Sequence, residues 1–433
     1  MTRPLCSYGR LLIQARFERL FYGWVIVATM WVVNFSTMAT GNLNFGLFIL
    51  PMSNSLGMSR SQFGWAQTTR RVSASLSSFV VGRLIDRYGP RVFIPVAAIV
   101  IAVCLWLVSK TSAPWQVITL FGIVGVSGLA TPNGIVTSVP VAKWFRRKRG
   151  RALAIATTGL GVGGIVFLPF TQFLIDNLGW RGAWATLSVI FIIIAAPIAL
   201  IFLRRQPEDM GLLVDGDRSS PRVAEASGQS SNIDDPEIQW TVREALGTPA
   251  LWKLMVVFAI TGLAQGGASV HRIPYWVERG FDAQVVSFAF SADAAGAATM
   301  ALISGWLADK LPIRYIAAGS FVGFTAAIFL MICGFNEIYL FASTITFGLS
   351  VGAGMVVHSY IFAAYFGREF LGSIRGIVLP VNLISAGIGA PLVGYLHDGL
   401  GTYIVAWWFL IALYAIGALL VVTITPPKHP VED

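Results

Sequence analysis

The sequence predicts an all-α membrane protein: twelve transmembrane helices in two pseudo-symmetric six-helix bundles. Three observations carry this. Of 433 residues, 55% are hydrophobic and 12% charged, with mean hydropathy +0.70, whereas about a quarter of the residues in a soluble domain are charged. Twelve predominantly apolar runs are each long enough for a span, which takes about 20 residues. The chain also repeats itself: Gly82-Arg83-Leu84-Ile85-Asp86-Arg87-Tyr88-Gly89-Pro90-Arg91 returns in the second half as Gly305-Trp306-Leu307-Ala308-Asp309-Lys310-Leu311-Pro312-Ile313-Arg314. The step from Gly82 to Gly305 sets the repeat offset. Pro312 replaces the second Gly, so the second turn should differ in detail.

The runs lie at approximately 22–50, 62–83, 92–109, 114–142, 150–175, 180–203, 251–277, 284–308, 313–334, 338–366, 372–396 and 402–424. All should be helices, because lipid leaves backbone amides only an internal ladder or a closed barrel, and runs this long without alternation exclude a barrel. The leader holds Arg3, Arg10, Arg16 and Arg19 and runs into the first span with no small-residue cleavage site, so no cleavable signal peptide is expected. Residues 204–250 read as a polar linker between an N-terminal bundle (1–203) and a C-terminal bundle (251–433). Pro51 matches Pro274 and Arg70 matches Asp293 at the repeat offset, and Asp176-Asn-Leu-Gly179 matches Asp398-Gly-Leu-Gly401 within one residue of it.

With the N-terminus inside, 24 of the 31 Lys and Arg fall on the inner side and only Arg60, Lys110, Arg181 and Arg279 on the outer. The positive-inside rule therefore places both termini in the cytoplasm. The net charge of +10 reflects this bias; the basic run 146–151 flanks a span, where topology and anionic lipid explain it better than nucleic acid does. Cys6, Cys104 and Cys333 are too scattered for a disulfide framework or a zinc site.

The repeated motif G-x-L-x-D-(R/K)-x-G-x-R resembles the loop between the second and third spans of the major facilitator superfamily, and its weaker copy the loop between the eighth and ninth. Tyr22-Gly23-Trp24, Lys143-Trp-Phe-Arg-Arg-Lys-Arg-Gly-Arg-Ala152 before a span with Gly159, Gly161, Gly163 and Gly164, and His271-Arg-Ile-Pro-Tyr275 resemble the branch of oxalate/formate antiporters and monocarboxylate transporters. The resemblance implies the major facilitator fold, with a substrate site between the halves near the bilayer midplane. It also implies a departure: monocarboxylate carriers place an Arg in the eighth span four residues before a Gly, and four residues before Gly305 stands Ala301.

Ionisable residues within spans are costly enough to nominate a functional site. Arg70 and Arg71 lie deep in the second span, about 100° apart around the helix; they read either as binders of an anionic substrate or as structural ion-pair and gate residues. Asp293, the counterpart of Arg70, reads as a proton carrier or as a carboxylate permanently paired with an Arg. If it competes with substrate for an Arg of the second span, it would tie the halves together until protonated. His271 and Arg272 precede Pro274 near the outer end of the seventh span, where His271 can titrate or serve as a gate residue. His358 sits among residues spaced for close helix packing. Asn34, Asn42, Asn44, Asn133, Tyr275, Tyr360 and Asn382 offer hydrogen bonds to a ligand or between helices. Asp86, Arg87, Arg91, Asp309, Lys310 and Arg314 are the expected cytoplasmic gate latches, with each Asp near a helix N-terminus.

No P-loop, Cys-x-x-Cys, Gly-x-Ser-x-Gly or nucleotide fingerprint is present in the sequence, so neither an enzyme nor an ATP-driven pump is expected, and no cofactor or metal is assigned. The expectation is a monomeric secondary active transporter of small organic anions, monocarboxylates or related carboxylates, in a bacterial inner membrane, working by proton symport or anion exchange. An efflux carrier for a larger amphipathic compound is the alternative within transport. A non-transporting membrane sensor is the alternative outside it, although the 204–250 linker and the tail after Thr425 are short for a signalling domain.

Overall fold

The computed structural model describes residues 21–40, 42–129, 135–145, 148–212, 240–308, 310–366 and 371–427. All regular structure among them is helical. Nine helices among the described residues are long and apolar enough to cross a membrane. One of these, Arg149–Phe202, contains two of the expected spans, meeting at Gly179 with φ 69°. The second expected span is the continuous helix Arg60–Tyr88, which carries Arg70 and Arg71 and is not among those nine. The fourth appears as Pro114–Val126 and Ile135–Trp144 on either side of residues outside the description. The remaining spans are Pro90–Val108, Pro249–Glu278, Ala283–Ala308, Ile313–Cys333, Glu337–Phe366, Leu371–Leu400 and Ile404–Val422, the third and the seventh to twelfth.

The first span differs most from expectation. It is helical over Gly23–Thr37, tightens into a 3₁₀ turn at Met38–Thr40 and resumes at Asn42–Leu56, well beyond the predicted end. The repeated motif is also mostly helix rather than loop. In the first copy the helix continues through Tyr88 and turns only at Gly89, whose φ of 76° suits a residue without Cβ. Pro90 then opens the third span at its first helical position, where the missing N–H costs nothing. In the second copy the helix is described to Ala308 and Pro312 precedes the next span at φ −54° and ψ 125°, so the two turns do differ.

Packing inside each half repeats the sequence offset. Arg70 presents its backbone carbonyl to Gly125 of the fourth span, and Asp293 presents its own to Gly348 of the tenth, so closely that a Cβ on either glycine would collide. The step from Arg70 to Asp293 equals the step from Gly125 to Gly348, and both equal the step from Gly82 to Gly305. Close backbone approach at small residues is how helices associate where lipid removes the hydrophobic drive between them. The linker's far end is packed, not free: Trp240 is buried, donates its N–H to the Phe366 carbonyl at 3.3 Å, and precedes a capped turn of helix at Val242–Leu246.

Candidate functional site

Among the described residues, the hydrogen bonds between the two halves gather toward one end of the bundle, the end bearing Arg60. There the second and eleventh spans touch backbone to backbone. A Cβ on Gly64 would lie 2.5 Å from the Pro391 backbone, and one on Gly394 would lie 2.6 Å from that of Ser61. Asp398 accepts the N–H groups of Arg60 and Ser61 at 3.1 and 2.9 Å, closing the first turn of the second span from the opposite half. Arg60 Nη2 binds Glu278 of the seventh span at 2.6 Å. Further along the seam Trp65 donates to the Tyr395 hydroxyl at 3.0 Å, and Thr68 donates to the Gly387 carbonyl. Gln284 donates to the Pro169 carbonyl at 3.3 Å, tying the eighth span to the fifth.

The seam ends at Arg71. Its Nη1 donates to the Ala386 carbonyl at 2.8 Å and its Nη2 to Ser269 Oγ at 3.5 Å, so the guanidinium crosses from the N-terminal half to the eleventh and seventh spans. It is partly buried. Arg70 turns the other way: it is 5% exposed and donates to the Thr40 carbonyl at 2.7 Å, at the 3₁₀ break of the first span. One arginine therefore supports a broken helix inside its own half, and its neighbour stands between the halves. Helical phase, about 100° per residue, separates them.

Asp293 is paired with Arg272 at 2.8 Å, both side chains being at most 5% exposed. The guanidinium lies 3.6 Å from the centre of the Phe347 ring and 4.7 Å from that of Phe290. This corrects the expected tie between Asp293 and an arginine of the second span: the pair is internal to the C-terminal half, because Gly348 fixes the Asp293 backbone against the tenth span and leaves its carboxylate facing the seventh. Position 301 holds Ala301 in place of the carriers' arginine. Around it the eighth and tenth spans pack closely: a Cβ on Gly352 would collide with the backbone of Ala297 and Ala301.

The other nominated residues lie within one half. His271 is fully buried, with Nδ1 3.3 Å from the Tyr403 hydroxyl and Nε2 2.9 Å from the Ala390 carbonyl. Asn34 donates to Ala156 O at 2.9 Å, and Asn382 to Phe258 O at 2.8 Å, each joining two helices of one half. Asn44 donates to Ala39 O at 2.6 Å. Tyr275 accepts from Arg279 at 3.1 Å and packs on Trp407. His358 meets Phe258 edge-on at 4.8 Å. Tyr360 is exposed in a cleft with Leu311, Arg314 and Tyr365, away from the seam. Asn133 and Asp309, and the side chains of Asn42 and Asp86, fall outside the described residues. Of the motif cations, Arg91 donates to Leu200 O at 2.9 Å, Arg87 lies 5.4 Å from the Tyr88 ring, and Lys310 3.7 Å from the Trp306 ring. Sequence reasoning missed the Arg60, Glu278, His397 and Asp398 cluster. The one available signal was that charges at the ends of three different spans must share a single membrane surface.

The model of the Major Facilitator Superfamily matches residues 30–279 and 273–433. Monocarboxylate transporter 13 of Bos taurus is 25% identical over 403 residues, covering 90% of this chain and 87% of that protein. Monocarboxylate transporter 11 of Mus musculus is 25% identical over 398 residues, covering 88% and 83%. Among solved structures, the nucleoside transporter NupG superposes with a TM-score of 0.70 at 12% identity, over 94% of this chain and 100% of that one. That likeness concerns the fold. With the family match spanning nearly all of its length and its two halves repeating in sequence and in packing, this chain belongs to the Major Facilitator Superfamily of membrane transporters.

Proposed function

We propose that the protein is a secondary active transporter of small organic monoanions, monocarboxylates first among them, with Arg71 as the anion anchor. The carrying observation is the placing of Arg71: a guanidinium deep in the bilayer, on the seam between halves, held by a carbonyl and a hydroxyl and by no carboxylate among the described residues. A planar guanidinium accepts a carboxylate through two parallel hydrogen bonds, and a buried cation held only by neutral acceptors gains most from an arriving anion. The 25% identity to monocarboxylate transporters supports the same substrate class.

With both termini in the cytoplasm, the Arg60 end is the outer mouth and this conformation is closed outward. Reorientation then requires the second and eleventh spans to part from Arg60 to Arg71. We assign the proton of a symport mode to Asp293, acting through Arg272 within the C-terminal half.

The test is thermal stabilisation of the purified protein by a panel of monocarboxylates, dicarboxylates, amino acids, nucleosides and amphipathic drugs, repeated on Arg71→Lys and Arg71→Gln. A monocarboxylate should stabilise the wild type, with apparent affinity at least about tenfold weaker in both variants, the equivalent of one lost charged hydrogen bond. Unchanged carboxylate affinity in both variants, or stabilisation by drugs alone, refutes the assignment. In proteoliposomes, accumulation driven by an imposed pH gradient identifies symport, and counterflow without a gradient identifies exchange.

A further inference from the structure

The closed mouth holds more than a latch. His397, in the last turn of the eleventh span, lies between two carboxylates: its Nε2 is 3.6 Å from Glu278 and its Nδ1 3.7 Å from Asp398. Its ring lies against Tyr403, 4.1 Å between centres, and the Tyr403 hydroxyl faces His271. Across the seam stands Arg60, nine-tenths buried, which uses Nη2 on Glu278 while Nε and Nη1 are buried without a hydrogen-bond partner. The Nδ1 of His397 is likewise buried and without one. The side chain is nevertheless 19% exposed, and the carboxylates are 28% and 27% exposed, so water reaches the cluster.

We propose that His397, seated between Glu278 and Asp398, is a proton-binding site that couples external acidity to opening of the mouth. The titratable and charged groups around His397 are Glu278 and His271 on the seventh span, Asp398 beside it on the eleventh, Tyr403 after it, and Arg60 on the second. Only Arg60 belongs to the other half.

When the mouth is closed, the Arg60 guanidinium neutralises Glu278, and the N-terminal N–H groups of the second span satisfy Asp398. A proton on His397 then places a second cation beside Arg60. Opening removes Arg60 and those N–H groups together, and leaves two carboxylates around His397. A proton there replaces the departed charge. Binding is therefore stronger in the open form, and by linkage protons shift the population toward it. The size of the shift is set by the ratio of proton affinities in the two forms.

The proposal rests on alternating access and not on the identity of the substrate, and its test needs no ligand. Cys6, Cys104 and Cys333 are replaced by Ser, and spin labels are placed at Ser55 and Leu400, exposed positions on the outer rims of the two halves. Distance distributions are recorded from pH 8 to pH 5.5 in nanodiscs. The long-distance population should rise several-fold as the pH falls across this range. His397→Gln should abolish the response, and His397→Lys should populate the long distance already at pH 8. An unchanged distribution in the labelled parent protein overturns the proposal. So does a shift toward the short distance, or a response that survives in His397→Gln. The Arg71 binding assay is blind to all of these results, so failure of one reading is distinguishable from failure of the other.

Discussion

Removing one partner of the Arg272–Asp293 pair should cost more than removing both, and the two single losses should be unequal. The pair is 2.8 Å apart and at most 5% exposed. Breaking a pair so buried costs about 3–5 kcal/mol, because the surviving charge is left without its counter-ion. In Asp293→Asn the survivor is Arg272, which keeps the faces of Phe347 at 3.6 Å and Phe290 at 4.7 Å. Those ring contacts are present before and after the substitution and cancel in the difference, so the loss should be that of the broken pair, about 3–5 kcal/mol. Arg272→Met breaks the same pair and also removes the cation–π contacts with Phe347 and Phe290, so its loss should exceed that of Asp293→Asn by about 1–2 kcal/mol. The double variant Arg272→Met/Asp293→Leu buries no charge and should lie within about 2 kcal/mol of wild type. Unfolding in mixed micelles, followed by tryptophan fluorescence over a full double-mutant cycle, measures all four states. The reasoning is refuted if Asp293→Asn unfolds with the wild type, or if the double variant loses the sum of the two singles.

Three further outcomes follow from the packing and the seam. Gly125→Val and Gly348→Val should each prevent accumulation of folded protein, since both push a side chain into a neighbouring backbone, while Gly319→Val, with open space around it, should be recovered from membranes at wild-type yield. Gly89→Ala should cost about 1–3 kcal/mol in the same unfolding assay, the penalty for a Cβ at φ 76° and ψ 159°, a region open essentially to glycine alone. Asp398→Asn keeps the shape of the cap but removes its charge from the two N–H groups it accepts; labelling of an outer-mouth cysteine by a membrane-impermeant maleimide should quicken several-fold, and an unchanged rate would show that Asp398 does not help to shut the mouth.

Much of this molecule could be read before any coordinates. The helices follow from apolar run length because lipid offers the backbone no partner outside its own ladder. The two halves follow from a repeat that survives in packing as well as in sequence, with Arg70 on Gly125 and Asp293 on Gly348 at the same separation. The broken first span was not legible, since Met38-Ala39-Thr40 carries no proline or charge to announce the turn. Nor was the choice between Arg70 and Arg71, because depth in the bilayer is read from position along the chain, whereas the direction of a side chain is set by helical phase relative to neighbours the sequence does not name. Asp293 shows the same division. Its cost in lipid marked it as either a proton carrier or a paired carboxylate, but that its partner is Arg272 of the seventh span and no arginine of the second was decided by the tertiary packing. The Arg60 cluster lay furthest from view, for Arg60, Glu278 and Asp398 are ordinary span-end charges in sequence and meet only where three helix ends from two halves converge. One-dimensional information determined what must be buried and how far it travels across the membrane; the partner of each buried group is a property of the tertiary contacts alone.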